Sequence, residues 1–140
     1  MKLKAPWAIA GRVTESVENI FIEIITDQEI SGMGAGAPSP DVTGETIQNA
    51  FDRLQLMSSK IIGWDLGNKK DLFTQLESEL RAFPATRAAI DMALFDALAQ
   101  SEGKSVIEHL GQVHQCLPTS ITIGVESFDK TIEDAKRNIE

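Results

Sequence analysis

The longest apolar segment of the chain runs from Pro84 to Gly103, and its apolar side chains surround nearly the whole circumference of a helix. Pro84 suits a first helical position, where its missing N–H would have no acceptor, and Gly103 suits the left-handed residue past the helix end. Because a helix that is apolar on all sides is buried, the pattern predicts a central helix that the rest of the chain covers. Arg87, Asp91 and Asp96 interrupt the segment too often for a membrane span.

The beginning of the chain has the pattern of β-strands. Residues 20–25 are a β-branched and aromatic run, and residues 30–33 follow a short polar connection as an antiparallel partner. Residues 2–9 are predicted to add a third strand to this small sheet, and residues 10–16 to form a polar loop. The glycine- and proline-rich segment 32–40 is predicted to end the sheet as an irregular loop.

Helical periodicity begins after this loop. Thr43 is predicted to cap the first helix, with Glu45 in its first turn. A second helix begins at Asn68 or Lys69, the central helix is third, and a short helix ends at Gly111. Strands followed by helices are typical of an α+β fold rather than of a parallel βαβ unit.

The last part of the chain has a different pattern. Residues 118–125 alternate isoleucine and valine with threonine and glycine, which predicts a strand, and Ser127 or Asp129 caps a helix directly after it. A strand followed at once by a helix is the opening of a β/α repeat. We therefore expect an α+β domain over residues 1–115 and the first β/α segment of a truncated barrel over residues 116–140.

Composition and charge narrow the possible functions. The chain has 140 residues and a formal net charge of −8, with lysine and arginine scattered, so no basic face for nucleic acid is predicted. Nor is a membrane partner expected. Cys116, the only cysteine, excludes an internal disulfide framework and is interpreted as a packed or incidental thiol. With no charged-then-apolar leader at the start, this favours a cytoplasmic location.

Candidate metal ligands and acids are few. His109, His114 and Cys116 could suggest a metal site, but a short cluster without a fourth ligand is weak evidence for one. Asp91 and Asp96 are interpreted as structural hydrogen-bonding groups of the central helix, because a buried carboxylate needs partners. No catalytic residue and no metal ligand is therefore assigned within the chain.

Several blocks of the sequence resemble the N-terminal portion of the enolase superfamily. They are GxGxGAP at 32–38, VTGET at 42–46, AAIDMALFD at 88–96, LG at 110–111 and TSITIG at 119–124. Within the superfamily, the chain most resembles the dipeptide epimerases of the muconate-lactonizing-enzyme subgroup, of the L-Ala-D/L-Glu epimerase type. The resemblance covers essentially the whole chain.

The resemblance implies an α+β capping domain set over a TIM-like barrel, which carries its chemistry at the C-terminal ends of its strands. It implies an isomerase that moves a proton at the α-carbon of a dipeptide through an enolate, with two barrel lysines as bases and Mg²⁺ held by acidic residues of later strands. None of these groups lies within residues 1–140, so this chain alone is expected to be inactive. A homo-oligomer is expected for the intact protein.

By the same resemblance, the chain supplies specificity loops at about residues 9–16 and 33–43. Arg12, the only cation of the first loop, is predicted to pair with the far carboxylate of a dipeptide, since a guanidinium suits a planar anion. Thr122 matches a position that faces the active site in the family, and its hydroxyl is predicted to bond a polar group of the substrate. The alternatives are a solvated loop arginine and an ordinary strand threonine.

One position departs from the family pattern. Members of the subgroup commonly have Gly-Glu where this chain has Gly34-Ala35, which leaves the choice of substrate open. A muconate cycloisomerase or an o-succinylbenzoate synthase-like enzyme stays an alternative, because substrate choice lies in the loops of a shared scaffold. A non-catalytic α+β binding module is the alternative outside the enzymes.

Overall fold

The computed structural model describes residues 1–139, an α+β chain in which the strands come before the helices. In chain order the elements are β1 (Lys2–Ile9), β2 (Arg12–Ser16), β3 (Ile20–Ile25), β4 (Ser31–Gly36), α1 (Ile47–Ile61), α2 (Lys69–Leu80), α3 (Pro84–Ser101), α4 (Val106–Leu110) and α5 (Phe128–Arg137). The predicted α+β class is confirmed. Of the described residues, no helix is both long enough and apolar enough to cross a membrane.

The chain divides into two compact units. One combines Met1–Val17 with His114–Glu140, and the other is Glu18–Val113. The predicted domains, residues 1–115 and residues 116–140, refer to the architecture of a longer protein and stay a prediction.

The smaller unit is built on the antiparallel hairpin of β1 and β2. The hairpin reverses at Ala10 and Gly11, where Gly11 has a φ of 79°, and Ile9 then pairs with Arg12. The prediction of a polar loop over residues 10–16 is wrong, because a left-handed glycine reverses the chain in two residues and leaves the rest free to pair.

The predicted strand over residues 118–125 is also wrong. No strand is assigned there, although Val125 donates its backbone N–H to the carbonyl of Ala8 at 2.7 Å. One such bond is not a ladder, and a strand needs a neighbour along its length. The helix that follows, α5, is confirmed, and the Ser127 hydroxyl accepts the N–H of Lys130 at its start.

The larger unit has its own two-stranded sheet, so the predicted three-stranded sheet is in fact two separate hairpins. β3 pairs antiparallel with β4, and Ile22 lies opposite Gly34. The first half of the predicted irregular loop is therefore β4. A Cβ on Gly34 would overlap the carbonyl oxygen of Ala89 and lie 2.8 Å from the nitrogen of Ala93. Glycine is needed there because the backbone of β4 lies directly on α3.

The central position of α3 is confirmed. Four of its buried alanines recur every four residues and form the face that meets β4: Ala85, Ala89, Ala93 and Ala97. Another part of its surface joins the apolar core, which consists of Met57, Leu72, Leu76, Leu80, Ile90 and Leu94. Glycines on β4 and alanines on α3 let the strand and the helix approach closely. The size of the residues that fit in one element therefore depends on the residues of the other.

The start of α1 differs from the prediction. Thr46, not Thr43, is the N-cap, and it forms a capping box with Asn49. Thr43 instead accepts the N–H groups of Ser39 and Glu45 through its hydroxyl. Glu45 lies before the cap rather than in the first helical turn, and it is fully buried.

Candidate functional site

Arg12 is the first residue of β2, directly after the hairpin turn, and its side chain is exposed. Its Nε donates a hydrogen bond to Oγ1 of Thr14 at 3.1 Å. The two residues lie on one face of β2 because successive side chains of a strand alternate between faces. The hairpin therefore presents a guanidinium whose orientation a neighbouring hydroxyl constrains.

Thr122 lies in the same unit, in the segment before α5, and is exposed. Three residues later, Val125 is bonded to Ala8, and Ala8 precedes the residue of β1 that pairs with Arg12. The structure thus brings the segment of Thr122 to the end of the hairpin that carries Arg12. That either side chain binds a substrate stays a prediction.

The second predicted loop, residues 33–43, is partly β4 and partly a compact turn. In the turn, the carbonyl of Ser39 accepts the backbone N–H groups of Val42, Thr43 and Gly44. Ala35, which departs from the family pattern, pairs with Phe21 in the ladder of β4, and nothing in the structure explains the alanine.

Glu45 anchors this turn to the central helix, a role that sequence reasoning missed. Its carboxylate accepts the backbone N–H groups of Ala85 and Thr86 and the Thr86 hydroxyl, the last at 2.6 Å. A carboxylate is favourable at a helix N-terminus, where N–H groups lack partners and the helix dipole is positive. The sequence does contain one indication of this role. Phe83, at the N-cap, has no side-chain acceptor, so the first N–H groups of α3 need an acceptor from elsewhere.

The two aspartates of α3 differ in role. Oδ2 of Asp96 accepts the backbone N–H of Met33 at 2.8 Å, which confirms a structural hydrogen-bonding role. Asp91 instead forms an ion pair within α3, in which its Oδ2 lies 3.4 Å from Nε of Arg87. Burial raises the pKa of Asp91 above its ordinary value, while the Arg87 charge opposes this rise.

His109 lies on α4, next to the charged side chains of Glu102 and Lys104. Its Nδ1 lies 3.1 Å from Oε2 of Glu102, and Nζ of Lys104 lies 3.0 Å from the same oxygen. The hydrogen bond from Lys104, followed by that from His109, lowers the pKa of Glu102 to about 2. His109 therefore lies beside the ion pair of Glu102 and Lys104 in the larger unit.

No metal site is formed by the residues that the structure describes. His109 lies in one unit, whereas His114 and Cys116 lie in the other. No group of three or more histidine, cysteine, aspartate or glutamate side chains in residues 1–139 is placed to hold a metal ion. These residues therefore do not fit a Mg²⁺ site, which needs several oxygen ligands around one point.

Comparison with known proteins identifies the fold. The family described as mandelate racemase / muconate lactonizing enzyme, N-terminal domain, matches residues 1–111. The chain belongs to this family. The predicted place in the enolase superfamily is thereby confirmed, and the two hairpins followed by helices are the capping domain of these enzymes.

Relatives of this member of the mandelate racemase / muconate lactonizing enzyme family include dipeptide epimerases. It is 40% identical over 137 residues to an L-Lys-D/L-Arg epimerase of Desulforapulum autotrophicum, covering 97% of this chain and 39% of the relative. It is 29% identical over 135 residues to an L-Ala-D/L-Glu epimerase of Thermotoga maritima, covering 96% and 39%.

A solved structure gives the same result. The crystal structure of a dipeptide epimerase from Methylococcus capsulatus, complexed with Mg and the dipeptide L-Arg-D-Lys, matches with a TM-score of 0.88 and 37% identity. The match covers 99% of this chain and 39% of that one. This member of the family therefore spans about 39% of the length of the relatives it matches.

Proposed function

We propose that this chain is the N-terminal, capping part of a dipeptide epimerase, an isomerase that moves a proton at the α-carbon of a dipeptide. The observation that carries the proposal is the 40% identity to an L-Lys-D/L-Arg epimerase over 97% of the chain. The chain spans 39% of that relative, so the complete activity belongs to a longer protein. The part described here contributes shape and specificity.

Mg²⁺ is included in the proposal for the longer protein only. A solved relative is a complex with Mg, which supports the metal for the family. Because residues 1–139 provide no cluster of ligands, none of them is assigned to the ion. For the same reason we expect the chain of 140 residues to be inactive by itself.

Within this part, Arg12 is proposed to bind the far carboxylate of a dipeptide, which is the side-chain carboxylate of an acidic residue. Its guanidinium is exposed at the end of a hairpin and is held by Thr14. A guanidinium offers paired donors that match the two oxygens of a carboxylate. Thr122, brought to the same end of the hairpin, is proposed to bond a polar group of the substrate. An acidic dipeptide fits this arrangement.

A cationic dipeptide is the second candidate. The relative named for lysine and arginine is 40% identical to this chain, against 29% for the relative named for alanine and glutamate. A formal net charge of −8 also favours the approach of cationic molecules. The charge of Arg12 would repel the cationic side chain of such a dipeptide. With this substrate Arg12 would have to bind the C-terminal carboxylate of the dipeptide.

The test uses the longer protein that contains this chain, incubated with Mg²⁺ in deuterated buffer. The substrates are L-Ala-L-Glu, L-Lys-L-Arg and the neutral L-Ala-L-Leu, and NMR follows loss of the α-proton signal. Exchange with any of them supports the epimerase, and the ratio of kcat/KM values selects the side-chain class. Exchange with none, together with turnover of cis,cis-muconate, would favour the cycloisomerase alternative. No turnover of any substrate would favour a binding module.

We also propose that the intact protein is a cytoplasmic homo-oligomer. The outward face of β3 leaves Phe21 71% and Ile25 66% exposed, and apolar side chains of this size favour burial against a partner surface. Light scattering after size exclusion gives the mass, and a monomer would contradict the oligomer.

The cytoplasmic location is supported by Cys116, because an exposed free thiol suits a reducing compartment.

A further inference from the structure

We propose that Thr14 is a positioning residue that orients Arg12 toward the carboxylate of the substrate. The proposal rests on the function proposed above, in which Arg12 binds that carboxylate. The observation that carries it is the hydrogen bond of 3.1 Å from Nε of Arg12 to Oγ1 of Thr14. Nothing in the sequence pattern indicates a role for Thr14, because residues 10–16 are predicted to be a polar loop and only the structure places Thr14 in β2.

The atom used in this bond matters for recognition. Arginine has a long, flexible side chain, and its ordering on binding costs conformational entropy. A hydrogen bond at Nε holds the guanidinium plane near the hairpin. The fork of the two Nη groups, on the opposite side of the guanidinium, is the part that binds a carboxylate end-on. Thr14 therefore lowers the cost of ordering Arg12 before the substrate arrives.

Thr14 is itself held by the structure. It is half-buried, and its β-branched side chain has few rotamers. In the ladder it lies opposite Trp7 of β1, so their side chains share a face. A Cβ on Gly124 would lie 3.4 Å from the Trp7 ring, so the segment before α5 packs against this ring. The hydroxyl is thus fixed to a packed hairpin, while Arg12 is exposed.

Two variants of the longer protein separate this role from a merely structural one. Thr14→Val keeps the shape and β-branching but removes the hydroxyl, whereas Thr14→Ser keeps the hydroxyl. For L-Ala-L-Glu we expect Thr14→Val to raise KM by roughly three- to tenfold with a smaller effect on kcat, and Thr14→Ser to restore most of the affinity. The KM for L-Ala-L-Leu should change less.

A double variant tests the route through Arg12. If Thr14 acts only by positioning Arg12, Thr14→Val has no further effect on KM in an Arg12→Ala background. The same increase in both backgrounds would overturn the proposal, and so would an unchanged KM in Thr14→Val alone. If Arg12→Ala leaves KM unchanged, the carboxylate role of Arg12 fails and this inference fails with it.

A spectroscopic readout does not depend on turnover. In protein labelled with ¹⁵N-arginine, the Nε–H signal of Arg12, assigned by its loss in Arg12→Ala, should shift and exchange faster in Thr14→Val but not in Thr14→Ser. An Nε–H signal unaffected by Thr14→Val would overturn the contact. A wild-type protein inactive on every dipeptide would contradict the proposed function, while this signal still decides whether Thr14 holds Arg12.

Discussion

The hydroxyl of Thr86 donates a hydrogen bond to the buried carboxylate of Glu45 across 2.6 Å. The backbone N–H groups of Ala85 and Thr86 donate to the same carboxylate, so three donors at the start of α3 share one acceptor group. The turn after β4 is tied in this way to the N-terminus of the central helix. A helix that lacks a capping residue of its own is capped by a distant one.

Glu45→Gln is expected to lower the free energy of unfolding by about 1–3 kcal/mol. The amide keeps one oxygen but places an NH₂ donor opposite the donors of α3, and it removes the charge that the helix dipole favours. Urea unfolding of the chain measures the change. The exposed Glu18→Gln serves as the control, with an expected change within about 0.5 kcal/mol. Equal stability of the two variants would rule out the capping role.

Gly34→Ala is expected to destabilise the larger unit by about 1–3 kcal/mol or more. The added Cβ would overlap the carbonyl of Ala89, which is backbone and cannot rotate away, so β4 and α3 must separate. Thermal unfolding measures the loss. Ala35→Ser, on the opposite face of the same strand, is the matched control and should be nearly neutral. A Gly34→Ala variant as stable as the control would contradict the close contact.

Asp96→Ala is expected to accelerate hydrogen exchange at the backbone amide of Met33. The Asp96 carboxylate accepts this N–H at 2.8 Å on the edge of β4 that faces away from β3, where Gln100 also donates to the carbonyl of Ser31. These two side chains cover an edge that would otherwise be open to pairing. The stability should fall by about 0.5–1.5 kcal/mol. Exchange at Met33 as slow as in the exposed Asp52→Ala control would argue against this role.

The stability of the larger unit should depend on Glu102 in acid. Lys104 and His109 lower the pKa of Glu102 to about 2, below its ordinary value of 4.5. A carboxyl with a lowered folded-state pKa adds stability above pH 4.5 and loses it as the pH falls toward 2. Glu102→Gln should therefore lose less stability than the wild type across this window. Added salt should shrink the difference, because the carboxylate is exposed. Identical profiles of Tm against pH would contradict the pairing.

Arg12→Ala in the longer protein is expected to raise KM for acidic dipeptides by roughly tenfold, and more than for neutral ones, because a bond to a charged group is lost. Steady-state kinetics with L-Ala-L-Glu and L-Ala-L-Leu measures both. Arg12→Lys keeps the charge without the planar fork and should fall between wild type and Arg12→Ala. Equal increases for the two dipeptides would remove the role of Arg12 as partner of a side-chain carboxylate.

Local signals were enough to place most of the helices. Pro84 at the start and Gly103 past the end bound the central helix, and Gly111 ends α4 with a φ of 85°. Ser127, one of the two predicted caps, is the N-cap of α5. Each of these signals acts within a few residues of the chain, so no partner element is needed to recognise it.

The roles of some glycines and threonines differ from the prediction because they depend on other segments of the chain. The sequence predicts that Gly34 lies in a loop, whereas its spacing from Gly32 and Gly36 is that of one face of a strand packed on α3. The alanines of α3, four residues apart, were the matching signal. Thr43 is the predicted cap of α1, but the observed bonds make Thr46 the N-cap and place Thr43 in the turn before it.

The sequence by itself determined the fold class, the central helix and the resemblance to the enolase superfamily. It also indicated Arg12 and Thr122 as candidate substrate-binding residues. Each of these features depends on residue types at short spacing in the chain, which can be recognised without knowing the tertiary contacts. Only the tertiary structure decided that Glu45 caps α3, that a glycine strand lies on that helix and that Thr14 holds Arg12. The first two contacts join segments that lie far apart in the chain, so no local pattern marks them. The bond from Arg12 to Thr14 is local, but it forms only because β2 places both side chains on one face.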